Sequence, residues 1–166
     1  MVKRVRVRDV AALLLALTIP IAARAETPQE WITLGARVHG GFGSFIPVGI
    51  RIGRDALQRL NAKPREVTVV YYDSDKAPCA CIANGVAIAT QASVGQRTLQ
   101  IAPEEAPNGT IATIIVRHKR TGQGIAYTVP DRWLSQLAEW NRTMDVQGRY
   151  DQVMKADGLF DVTEMK

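Results

Sequence analysis

His39, Cys79 and Cys81 are the residues of this chain whose types and spacing could do chemistry. An imidazole ligates metals and exchanges protons near neutral pH. A thiolate is both a nucleophile and a soft metal ligand. His39 opens a glycine cluster, His39-Gly40-Gly41-Phe42-Gly43-Ser44, just ahead of an apolar helical pattern. Glycines there let the backbone come close to a ligand, and the N–H groups of Gly41 and Gly43 could face an anion. Cys79 and Cys81 are separated only by Ala80. A bridge across one residue closes a small, strained and easily reduced ring. The pair is therefore a labile redox couple, two free thiols near a ligand, or a pair of small buried hydrophobes. One imidazole and two thiolates could also hold a divalent transition metal such as zinc, with water, Asp73 or Asp75 completing the shell.

These residues need elements to position them. Thr27-Pro28-Gln29-Glu30 reads as a capping box with proline at the first helical position, so a helix starts there and the glycine cluster ends it. A second helix is expected after Pro47 to about Leu60, with Gly49 and Gly53 four apart on a face that another backbone can approach closely. Glu66 to Tyr72 reads as a buried strand, with Tyr71 and Tyr72 on opposite faces. Cys79 to Thr90 is expected to be helical from near Pro78. Thr98 to Ile101 is a short strand, and Thr110 to Val116 pairs with Gly124 to Val129 as a hairpin. His118 falls at the hairpin turn and is expected to be solvated. Pro130-Asp131 opens a helix that packs Trp133, Leu134, Leu137 and Trp140 on one side. The tail beyond Gln147 is expected to add a short C-terminal helix. The whole reads as one α+β domain, with N-terminal helices packed on a mostly antiparallel sheet.

Residues 1–25 have the order of a secretory signal peptide. Lys3, Arg4, Arg6 and Arg8 precede a short apolar run, Val10 to Ala22, and Ala23-Arg24-Ala25 offers a cleavage site before Glu26. The expected mature protein is periplasmic or secreted, residues 26–166, with no stable membrane anchor after cleavage near Ala25. The full chain carries a net charge of +5. Most of that excess sits in the leader, so the mature chain is close to neutral and lacks the surviving basic face that nucleic-acid binding needs.

The two informative segments together resemble a known family. His39-Gly40, followed by Gly49-Ile50-Arg51, is similar to the opening motif of the formylmethanofuran dehydrogenase E-subunit family, H-G-H-x-C-P-G, then three residues and G-Y-R. Cys81-Ile82-Ala83-Asn84-Gly85-Val86, with Ser93-Val94-Gly95 and Leu99, resembles its second signature, C-x-x-D-A-I leading to T-x-G-x-x-x-L. The resemblance spans roughly His39 to Pro130 and implies an α+β core with a His- and Cys-lined cleft able to bind a metal. In methanogens the family's namesake belongs to a molybdenum or tungsten enzyme that fixes carbon dioxide onto methanofuran. The resemblance covers the core domain and not the C-terminal zinc finger of many members, because no cysteine follows Cys81.

The departures from the motif bear on function. Gly41 stands for the family's second His, Gly43 for its first Cys, Ser44 for its Pro, and Asn84 for its Asp. The expected function is therefore to bind a metal or small anionic ligand without the ancestral enzyme role. Metal would be held by His39, Cys79 and Cys81, and a small ligand by Gly41, Gly43, Ser44, Asn84 and Ser93. Two alternatives stand beside it: a thiol–disulfide redox protein using Cys79 and Cys81, and a non-catalytic interaction module. A homodimer is compatible with all three.

Overall fold

The computed structural model describes residues 26–165. The chain opens with α1 (Pro28–His39) and α2 (Phe45–Arg59), then β1 (Val67–Asp73), α3 (Cys81–Thr90) and β2 (Leu99–Ile101). The hairpin β3 (Thr110–His118) and β4 (Gly124–Pro130) follows, then a 3-10 turn, α4 (Leu134–Thr143), α5 (Val146–Lys155) and β5 (Asp161–Met165).

The capping box at Thr27 is formed in full, and Gly40 closes α1 in the left-handed conformation, donating its N–H to Ala36 O. A residue with a side chain would be strained at that φ of 85°. α2 begins at Phe45, two residues ahead of Pro47, whose missing N–H costs nothing within a first helical turn.

The five strands form one sheet in the order β2-β1-β3-β4-β5. β1 pairs with β2 in parallel, across α3, and the other neighbours are antiparallel. Burial alternates along β1 and β3, so one face of the sheet carries the core. Tyr71 is fully buried and Tyr72 half-buried, as alternation requires. α2 and α3 lie against each other so closely that a Cβ on Gly49 would stand 2.0 Å from Ile82 O, and one on Gly85 2.1 Å from Ile46 O. Leu137 and Trp140 of α4 are buried, with Trp133 and Leu134 packed at their edge.

Two expectations are corrected. The helix in the tail is present as α5, but the last element is the strand β5, which pairs Tyr127 with Val162 and completes the sheet edge. β5 is largely exposed, and its charges, Asp161 and Glu164, leave no apolar alternation for the sequence to show, which an edge position tolerates. His118 is not solvated: it is 5 % exposed, in phase with Ile114 and Val116 on the inner face of β3. Its Nδ1 accepts N–H bonds from Arg120 and Thr121, so the ring folds inward and caps the turn. The segment expected to be a leader lies outside the described residues. Among the described residues, no helix is long and apolar enough to cross a membrane.

Candidate metal centre

His39 is the last residue of α1 and is exposed. Cys81 is the first residue of α3 and is 6 % exposed, while Cys79 is half-buried in the loop before Ala80, which caps that helix. Packing of α2 on α3 brings the start of α3 beside the end of α1. Cys81 Sγ lies 3.4 Å from His39 Nε2, and Asn84 Nδ2 lies 2.9 Å from His39 Nδ1. Cys79 and Cys81 are joined as a disulfide. One donor atom from each of His39, Cys79 and Cys81 falls within 4.8 Å of the others, and among the described residues these three form the group able to hold a metal. Asp73 and Asp75 are not members of it. Asp73 instead accepts a hydrogen bond from the Tyr71 hydroxyl.

The loop that leads to Cys79 is tied down at two points. Ser74 Oγ donates to Ile111 O, and Lys76 is paired with Asp131 at the start of the 3-10 turn. That pairing holds the Asp131 carboxyl below the usual carboxylate range.

The glycine turn is anchored from the opposite side. Ser44 is fully buried; its N–H donates to Asn141 Oδ1 and its hydroxyl to Leu137 O. Arg149 donates to Phe42 O and Asn141 O, which clamps the turn to α4 and α5. Phe42 lies against Gly35, where a Cβ would stand 2.6 Å from its ring. Gly43 backs onto Asn141, whereas Gly41 is exposed, with no atom within 4 Å of where its Cβ would be.

The structure thus brings His39, Cys79, Cys81 and Asn84 together, with Gly41 open to solvent two residues from His39. Ser44 faces inward with both polar groups occupied. Ser93 lies past the far end of α3, a helix of about 15 Å, where its Oγ accepts the Gln96 N–H. A separate cleft of about 430 Å³, lined by Trp31, Arg51, Arg54 and Gln58 among others, does not include the His/Cys group. Arg51 there is already occupied by Val153 O and Ala156 O. Asn141 and Arg149 are the positioning residues that sequence reasoning missed. Their bonds to the glycine turn join residues 97 and 107 apart, which leaves no local pattern to read.

With the bridge reduced, these three side chains could hold a metal. In a tetrahedral site with metal–sulfur near 2.3 Å and metal–nitrogen near 2.0 Å, the edge between sulfur and nitrogen is about 3.5 Å. The 3.4 Å between Cys81 Sγ and His39 Nε2 matches that one edge, while the two sulfurs, bonded to each other, must part before both can ligate. Two thiolates and an imidazole suit zinc or a similar borderline ion. Only the reduced pair offers both thiolates. A ring ligating through Nε2 carries its proton on Nδ1, and Asn84 can accept that proton through Oδ1 by turning its amide over.

No curated protein matches the chain significantly. Residues 38–157 match the family described as FmdE, Molybdenum formylmethanofuran dehydrogenase operon, a span that holds His39, Cys79, Cys81 and the elements that bring them together; the chain belongs to this family.

Proposed function

We propose that this chain is an exported FmdE-family protein that binds a divalent transition metal, such as zinc, through His39, Cys79 and Cys81 in its reduced state. The convergence of three donor atoms within 4.8 Å, from the end of one helix and the start of another, carries this reading. His39 is exposed, so a fourth position opens to solvent and can take water or a small anionic ligand. Open positions of that kind mark sites that exchange ligands, whereas structural zinc sites are closed by four protein donors. Gly41 and Gly43, where the family motif has His and Cys, remove two further donors, which argues for binding without the family's original chemistry.

The test is a zinc titration of the reduced protein in competition with a chromophoric chelator. One zinc per chain is expected, weakened roughly 100-fold in His39→Ala and in Cys81→Ser. Stoichiometric binding that both variants leave intact would overturn the assignment. Signal-peptide processing is checked separately, by the N-terminal sequence of protein recovered from the periplasm or medium, which should begin at Glu26.

A further inference from the structure

The same corner carries a second chemistry when its sulfurs are joined. We propose that the Cys79–Cys81 bridge is a disulfide donor to dithiols: Cys79 takes the incoming thiolate, Cys81 leaves toward His39, and Asn84 is the positioning residue that orients the ring. The bridge supplies its own oxidising equivalents, so this inference does not rest on the metal reading.

Access sets the direction. Cys79 is half-buried in the loop, whereas Cys81 is 6 % exposed at the first position of a ten-residue helix. A thiolate attacks one sulfur in line with the bond it breaks, so attack at Cys79 drives the leaving charge inward onto Cys81. That charge arrives 3.4 Å from His39 Nε2 and at the N-terminal end of α3, whose dipole favours an anion.

Asn84 decides what the ring presents. Its Nδ2 lies 2.9 Å from His39 Nδ1 and donates to it, so Nδ1 is the acceptor and the proton of the neutral ring sits on Nε2, facing the sulfur. A carboxylate at this position accepts only; it would draw the proton to Nδ1 and turn a lone pair toward Cys81. As oriented here the amide serves the leaving sulfur; it serves a ligating ring only when turned over, whereas an Asp would serve that ring alone.

The balance closes with one dithiol substrate. Its first thiolate bonds to the Cys79 sulfur, the bond between the two protein sulfurs breaks, and the electron pair goes to Cys81, whose charge the Nε2–H contact holds until it takes up from solvent the proton the substrate gave up. The second substrate thiolate then attacks the substrate sulfur of the mixed disulfide, and Cys79 leaves and is protonated. The substrate departs as a disulfide, and the protein holds two thiols. Two electrons and two protons have moved from substrate to protein. The site stands at an exposed helix end, which suits a dithiol on a peptide or an unfolded protein segment.

The experiment mixes the oxidised full-length protein, in a metal chelator, with a reduced two-cysteine peptide, quenches with acid, and maps mixed disulfides by mass spectrometry. The expected adduct is on Cys79, and transfer should be about tenfold faster than from a free Cys-Ala-Cys peptide carrying the same bridge. Asn84→Asp is nearly isosteric and tolerated in a first helical turn. It should slow transfer several-fold, and imidazole nitrogen NMR should show the His39 proton moving from Nε2 to Nδ1. Adduct on Cys81, transfer no faster than from the free peptide, or Asn84→Asp unchanged in rate and tautomer would overturn the proposal. Reduced protein that binds zinc while the oxidised form transfers nothing would remove this proposal and leave the metal reading. Transfer without zinc binding would do the reverse.

Discussion

At the scale of single residues, the site is held by side chains with no chemical role of their own. Ser44 shows this most directly. Its buried hydroxyl donates to Leu137 O, and its N–H is taken by Asn141, so the turn carrying His39 is fixed from below. Ser44→Ala leaves the Leu137 carbonyl without that donor in the core and should cost about 1–2 kcal/mol, read as a lower denaturant midpoint with zinc stoichiometry unchanged. The reactive residues were legible because their types are rare in the chain and their order matches a two-part family motif. Asn84 was legible as a departure from that motif, but its contact with Nδ1 required the two helices to be placed. Asn141 and Arg149 were not legible, since a side chain bonding to a distant main chain leaves no periodicity or composition behind.

At the scale of elements, the meeting of α1 and α3 depends on how closely α2 can lie along α3. Gly49 and Gly85 face each other there, and a methyl on either would press into the partner helix's carbonyl. Gly49→Ala and Gly85→Ala should each destabilise the fold by about 3 kcal/mol, measured by chemical denaturation. Gly41→Ala, on open ground, should change stability by less than about 0.5 kcal/mol. The four-residue spacing of Gly49 and Gly53 announced a close approach, while the partner glycine could not be named because it lies on a separate helix. Helix starts were readable where caps mark them, as at Thr27. The beginning of α3 at Cys81 rather than near Pro78 was not, for Ala80 caps it without a side-chain bond. That shift leaves Cys79 in a loop and Cys81 in a helix, and the two residues differ in exposure accordingly.

At the scale of the whole molecule, two buried tyrosines link the sheet to its stability. Tyr127 donates to Asp55 Oδ2 on α2 at 2.7 Å, and Tyr71 donates to Asp73 Oδ1 at 3.2 Å. Burial, reinforced by the neighbouring carboxylates, pushes both phenols far above their ordinary range. A raised acid stays protonated in the folded chain while its unfolded counterpart ionises near pH 10, so the unfolded state is favoured as pH climbs. The stabilisation is fully present below about pH 10 and is lost as pH rises toward the folded values. Thermal melts from pH 8 to 12 should show that fall, and Tyr71→Phe should flatten it while costing about 1 kcal/mol at pH 8. The α+β class followed from the alternation of helical and strand patterns along the chain. The final strand did not, because β5 is short, charged and stabilised only by pairing with β4.

The central claim is that His39, Cys79 and Cys81 ligate one metal together. X-ray absorption at the zinc edge, on reduced protein loaded with one equivalent, reads the ligand atoms directly. Joint ligation predicts two sulfurs near about 2.3 Å and one imidazole nitrogen near about 2.0 Å, with a light atom in the remaining position. A shell of oxygen and nitrogen alone, with no sulfur scattering, would contradict it.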